Sequence, residues 1–240
     1  MKLLGLFQKK IGGFDMFISY SLLPHHKYFG NGCGDFVLDK VMSSNKICMV
    51  HCDYLHSGYM TDENNQEYAE FDKIACCSDS VRSRFLEGSR MPPDKVFTLR
   101  NFYDFNMIPL AEDTPYVYEQ NCVNLLTVAR LSYEKGIDKA VDALFASGRS
   151  EIKYFIVGDG PQRNRLQEKI KEYRMEKQVF LLGEQQNPYR YMLHADYLLV
   201  PSLHEAAPVV FDEANLLGLP ILSTNTTSAQ EMVAQYLRTF

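Results

Sequence analysis

Along this chain, short apolar runs alternate with longer segments in which apolar residues recur every three or four positions. The first rhythm suits buried strands and the second amphipathic helices. In the first half, F-D-M-F-I-S-Y (14–20), K-I-C-M-V-H (46–51), K-I-A-C-C (73–77) and K-V-F-T-L (95–99) read as strands. Residues 78–88 read as a helix, with Ser78 as its N-cap and Val81, Phe85 and Leu86 on one face. Residues 57–66 are polar and uneven and read as a loop. The opening M-K-L-L-G-L-F-Q-K-K reads as a packed helix feeding the next strand; an amphipathic helix lying on a membrane surface is the alternative.

The rhythm breaks at 112–120, which places a domain boundary there and divides the chain into 1–115 and 116–240. Beyond it come strands at 122–128, 152–157, 178–182, 196–200 and 220–224. Helices are expected between them. The first carries Ile137, Ala140, Val141, Leu144 and Phe145 and is closed by Gly148; the second opens at Pro161 and carries Leu166, Ile170 and Tyr173. Two more are expected at 188–194 and 208–217. Nearly continuous apolar strands separated by helices imply an α/β fold with parallel sheets covered on both faces.

Composition narrows the function classes. With 46% hydrophobic and 23% charged residues in 240, the chain is globular rather than disordered. Its net charge is −5 and neither half is basic, so nucleic acid is not an expected partner. No apolar run approaches the roughly 20 residues of a membrane-spanning helix, and the apolar start is too short for a secretory signal. Six cysteines without a C-x-x-C point to reduced thiols in the cytoplasm. Cys48, His51, Cys52 and His56 crowd together but lack the second ligand pair of a structural zinc site, so no metal is expected.

In a parallel sheet of this kind, ligands bind beyond the carboxyl ends of the strands. Three such places carry chemistry. A-R-L-S-Y-E-K-G follows strand 122–128 with Arg130 and Lys135. G-D-G-P follows strand 152–157, and P-S-L-H-E-A-A-P-V-V-F-D-E follows strand 196–200. Singly, each has an ordinary explanation: solvated cations, a tight turn, a loop acid and a helix acid. G-D-G-P is not a dinucleotide fingerprint, because Pro161 and Gln162 follow and no third glycine does.

Together, their order and spacing resemble the family-4 glycosyltransferases of the GT-B fold, of the branch that builds cell-surface polysaccharide. The family's R-x-x-x-x-K appears as Arg130–Lys135, its G-x-G-P as Gly158–Pro161, and its glutamates separated by seven residues as Glu205 and Glu213. N-P-Y-R-Y (187–191), A-D-Y-L-L-V-P-S (195–202) and E-A-N-L-L-G-L-P-I (213–221) also match. The first half matches more loosely, through H-C-D-Y (51–54), E-F-D-K-I-A-C-C-S (70–78) and L-R-N-F-Y-D (99–104).

The resemblance implies two Rossmann-like parallel-sheet domains, with a nucleotide sugar, most often of UDP, on the second. It implies transfer with retention to a glycan or lipid-linked acceptor, no cofactor beyond the nucleotide sugar as co-substrate, and no metal. A departing nucleoside diphosphate gains charge; the family neutralises it with Arg130, Lys135 and a helix N-terminus, here at Ala207, Pro208 and Val209. Gly158, Gly160 and Gly183 would let the strand ends approach the ligand. Glu213 would hold the ribose, and Glu205 and His51 would be the catalytic residues nearest the sugar and acceptor. Eight residues of helix would separate the two glutamates by roughly 12 Å, too far for a paired acid and base. Ala206 departs from the family's usual glycine.

Relative to the family, the chain looks incomplete at both ends: a first strand and glycine-rich loop are expected before Phe14, and further elements after P-I-L-S-T. The expectation is a fragment, or a fold completed by a partner chain, that binds UDP weakly, shows no sustained transfer, and self-associates or is poorly soluble above micromolar concentration. The place expected is the cytoplasm or the inner face of the membrane, with peripheral membrane contact. Two alternatives remain. Another GT-B enzyme, such as an epimerase, would be told apart by its product. A non-catalytic nucleotide-sugar-binding or partner protein would bind without turnover.

Overall fold

Every described strand pair is parallel, as the apolar strands between helices require. The computed structural model describes residues 9–20, 33–102 and 118–236. Contacts divide the chain into two units, Met1–Asn101 and Phe102–Phe240. The expected boundary at 115–116 and the expected opening helix over the first eight residues lie outside the described residues.

The first unit runs β1 (Ile11–Phe14), β2 (Phe17–Ser19), α1 (Cys33–Lys40), β3 (Val41–Ser43), β4 (Lys46–Val50), α2 (Asp62–Glu70), β5 (Lys73–Cys76), α3 (Asp79–Ser89) and β6 (Val96–Thr98). Its main sheet has the order β2-β4-β5-β6, and β1 pairs separately with β3. Ser78 caps α3 as expected, accepting a hydrogen bond from the Val81 amide. Tyr54, Tyr68 and Phe85 pack with ring centroids 4.9 to 5.8 Å apart, in tilted and edge-on contacts suited to their quadrupoles. Burial pushes the Cys48 and Cys76 thiols up to about 12 and that of the partly buried Cys52 up to about 11, which disfavours the reactive thiolate in all three. Among the described residues, no group of three or more His, Cys, Asp or Glu is placed to hold a metal.

Two expectations in this unit fail. The single buried strand expected over 14–20 shrinks to β2 at Phe17–Ser19, because Phe14 ends a separate strand, β1, all of which is exposed. The β1–β3 register shifts between Gly12 and Phe14, and the Asp15 carbonyl turns aside to accept from Ser44 and Asn45. The loop over 57–66 ends at Met60, because α2 begins at Asp62. Thr61 caps it by accepting from the Asn64 amide, and Asp62 and Glu63 complement the helix dipole. This helix buries only Asn64 and Tyr68, so an apolar stripe is missing from its sequence.

The second unit runs β7 (Val123–Val128), α4 (Ile137–Ser147), β8 (Ile152–Val157), α5 (Arg163–Glu172), β9 (Val179–Gly183), α6 (Tyr189–Met192), β10 (Tyr197–Val200), α7 (Val209–Leu216), β11 (Ile221–Ser223) and α8 (Thr227–Tyr236). The sheet order is β11-β10-β7-β8-β9. Alternation along β8 explains the two cores. Tyr154 and Ile156 face α4 and α5, with Val141, Leu144, Leu166 and Ile170, while Phe155 and Val157 face the other way, with Met192, Phe211, Ala214 and Met232. The helices thus cover both faces of one sheet, the doubly wound arrangement expected of a Rossmann-like unit. One boundary differs: Pro161 lies in a turn, and α5 starts two residues later, at Arg163, after Gln162 at the cap position.

Candidate functional site

The chain enters the second sheet at its centre, adds β8 and β9 on one side, and then crosses to add β10 and β11 on the other. The sheet therefore reverses its order between β7 and β10, where a doubly wound unit opens a crevice at the carboxyl ends. Lys135 follows β7 and Glu205 follows β10, and the Lys135 ammonium donates to Glu205 Oε1 at 2.7 Å. The Glu205 side chain is 9% exposed and that of Lys135 25%. The two loops are also joined through their backbones: the Leu203 amide donates to the Glu134 carbonyl at 2.8 Å. A Cβ on Gly136 would stand 2.1 Å from the Pro201 carbonyl oxygen, so this crossing admits only glycine.

Beside the switch point, the ends of β7, β8 and β9 form a cleft of about 480 Å³. Val128, Ala129 and Arg130 line it from β7, Val157, Gly158 and Asp159 from β8, and Glu184, Gln185 and Pro188 from beyond β9. Arg130 is exposed here, and among the described residues its guanidinium has no ion-pair or hydrogen-bond partner. Asp159 accepts from the Gly160 amide at 2.7 Å and lies 3.5 Å from the Arg163 guanidinium.

The glycines make the cleft possible. Gly158 has φ +137°, and a Cβ on it would stand 1.9 Å from the Ala129 carbonyl oxygen. A Cβ on Gly160 would lie 2.6 Å from the Leu131 carbonyl oxygen, which accepts from the Gln162 amide. Gly183 has φ +73°, and its carbonyl accepts from the Gly158 amide. The three glycines therefore stitch the loops after β7, β8 and β9 together at backbone contact distance.

Contrary to the expected eight residues of helix between them, the two glutamates do not share a helix. Glu205 sits in the loop four residues before α7 begins at Val209, so the 12 Å helical separation does not apply. Pro208 occupies the cap position rather than a helical one, and its side chain makes no capping hydrogen bond. Ala207 packs against the core beneath. Glu213, inside α7, is 9% exposed and accepts from the Tyr189 hydroxyl at 2.9 Å. Tyr189 had no role in the sequence reading; only its place in N-P-Y-R-Y marked it.

His51 belongs to the first unit and directly follows β4. Its ring lies against that of Tyr20 with centroids 4.3 Å apart, and its Nε2 is buried with no hydrogen-bond partner among the described residues. Burial holds its pKa below the ordinary histidine value, opposed by a backbone hydrogen bond with Tyr20. The Asp53 carboxylate nearby lies 3.1 Å from His56 Nδ1 and 3.6 Å from the Arg84 guanidinium, while its Oδ1 is buried with no hydrogen-bond partner among the described residues.

The family model "Glycosyl transferases group 1" matches residues 120–239, half of the chain. An uncharacterized glycosyltransferase of Methanocaldococcus jannaschii is 28% identical over 132 residues, 54% of this chain and 32% of that protein. The amylovoran biosynthesis glycosyltransferase AmsD of Erwinia amylovora is 29% identical over 136 residues, 53% of this chain and 38% of that protein. The chain thus spans only about a third of the length of these relatives. Among solved structures, HepE of Anabaena in complex with UDP and glucose superposes with a TM-score of 0.68 at 18% identity, covering 85% of this chain and 67% of that one. That likeness shows the fold. Among the described residues, no helix is long and apolar enough to cross a membrane.

Proposed function

Because the chain belongs to the group 1 glycosyl transferases, we propose that it carries the donor site of an enzyme that transfers a hexosyl group from UDP, with retention and without a metal. The acceptor is a glycan or lipid-linked sugar in the synthesis of a surface polysaccharide, which puts the reaction at the inner face of the membrane. The observation that supports this reading is that Arg130 lines the cleft at the ends of β7, β8 and β9, while Lys135, paired with Glu205, and the start of α7 follow the carboxyl ends of β7 and β10 in the same sheet. UDP in HepE and the polysaccharide named for AmsD support the donor and the pathway class.

The residues divide the work by chemistry. Arg130 offers a planar fork to the diphosphate, and Lys135 a mobile point charge. The first turn of α7 adds backbone N–H groups and the positive end of its dipole. These groups stabilise the charge that the departing diphosphate gains. Glu205, released from Lys135 as phosphate takes the ammonium, turns to the transferred sugar. Glu213 accepts from the vicinal ribose hydroxyls. His51 serves the sugar or acceptor.

The test is incubation of the chain with a panel of UDP-sugars and lipid-linked acceptors, with NMR of the product anomer. Appearance of an α-linked product from an α-linked donor supports the reading. Release of an epimerised nucleotide sugar, or an inverted product, contradicts it.

A further inference from the structure

A second cleft, of about 650 Å³, lies wholly within the first unit. Its walls are the loop after β4, the start of α2 and the end of α3. Gly88 lets the loop close down on α3: a Cβ on it would stand 2.9 Å from both Leu55 Cδ2 and Met60 Sδ. Those two side chains give the cleft an apolar part. Its polar part comes from Asp62, Asn65, Glu87 and Arg90. The buried Tyr54 donates to Asn65 Oδ1 at 2.7 Å, which fixes the carboxamide and leaves its Nδ2 to donate elsewhere. Asp62, Glu87 and Arg90 are exposed, and among the described residues their side chains make no hydrogen bond or ion pair.

This lining selects a class of ligand. Two carboxylates repel a phosphate, and the guanidinium repels a metal ion. Carboxylates accept, while a guanidinium and a carboxamide donate, so the four groups together suit an uncharged molecule rich in hydroxyls. A pyranose is such a molecule, and its C–H face suits Leu55 and Met60. The volume is that of a site for a small organic ligand. The wall made by Leu55 and Met60 is also tied to the candidate site of this unit. Its loop starts at His51, directly after β4, and is folded by two amides, of His56 and Ser57, that donate to the Asp53 carbonyl. We propose that this cleft is a saccharide subsite that holds a non-reacting sugar of the acceptor glycan. Attachment at a second point would make a longer acceptor bind more tightly than a single sugar. That the occupant is a saccharide rests on the cleft alone; that it belongs to the acceptor rests on the proposed transferase reading.

The test is an amide-resolved NMR titration of the full 240-residue chain with maltotetraose, cellotetraose, galactotetraose and chitotetraose, and separately with UDP. At least one tetrasaccharide should bind with a Kd in the millimolar range or below and shift the amides of Asn65, Gly88 and Arg90. Glu87→Ala and Arg90→Gly should each weaken it about tenfold, the lower end for a hydrogen bond to a charged group. Glycine keeps the left-handed backbone that Arg90 adopts at the end of α3. Both variants should bind UDP within about twofold of the unmutated chain. Shifts mapped on the unmutated chain locate the site even if a variant fails to fold. Absence of tetrasaccharide binding, shifts confined to the second unit, or equal binding by folded variants overturns the proposal and leaves the donor reading untouched. Tetrasaccharide binding in this cleft by a chain that does not bind UDP supports the saccharide subsite but overturns the donor reading, and with it the assignment to an acceptor.

Discussion

Lys135 and Glu205, 70 residues apart in the chain, meet at 2.7 Å where the second sheet reverses its order. The pair neutralises the cation that the resemblance assigns to the diphosphate, and its carboxylate is the less exposed partner. On that assignment, a bound phosphate competes with a protein carboxylate for one ammonium.

That competition has a measurable sign. Glu205→Gln should raise UDP affinity about threefold to tenfold, because Lys135 is released and a like charge is removed from the phosphate's surroundings. The same variant should lose transfer. Calorimetry checks the first effect. A comparable fall in UDP affinity would instead make Glu205 the group that aims Lys135 at the phosphate.

The three glycines should differ in cost. Gly158→Ala combines φ +137° with a backbone clash at 1.9 Å and should destabilise the fold by more than about 3 kcal/mol. Gly160→Ala meets a backbone oxygen at 2.6 Å and should cost about 1–3 kcal/mol. Gly183→Ala keeps 3.7 Å to its nearest neighbour, so only the left-handed backbone is penalised, about 1–2 kcal/mol. Urea midpoints of the three variants give the order directly. A Gly183 variant weaker than the Gly158 variant would contradict this view of the cleft.

His51 gives the fold a pH dependence. Its folded pKa lies below the ordinary 6.5 because of burial, so as pH falls through that value the unfolded chain takes up the proton first. The histidine therefore costs stability progressively below pH 6.5, down to its folded pKa, and nothing at pH 8. His51→Gln should flatten the urea midpoint between pH 5 and 7 relative to the unmutated chain. An equally steep profile would show that the loss comes from other groups.

Much of the second unit was legible in the sequence. Its strands are nearly continuous apolar runs, and Gly148 ends α4 in the left-handed conformation that its place suggested. The helix α2 was not legible, since capping by Thr61 and a charged first turn hold it more than an apolar stripe does. The break between β1 and β2 turns on hydrogen bonds from Ser44 and Asn45, distant residues that no local pattern reveals. Motif spacing singled out Arg130, Lys135, Glu205 and Glu213 as types. It could not show that Lys135 and Glu205 are joined, or that Tyr189 holds Glu213, because those contacts depend on how strands are ordered in the sheet.

The most direct test of the donor site compares UDP with uridine by calorimetry on the unmutated chain, Arg130→Ala and Lys135→Ala. Each substitution should weaken UDP about 10- to 150-fold, the worth of one charge-assisted contact of roughly 1.5–3 kcal/mol, and leave uridine within about twofold. Equal weakening of UDP and uridine, or no weakening of either, would contradict the assignment of this sheet edge to a nucleoside diphosphate.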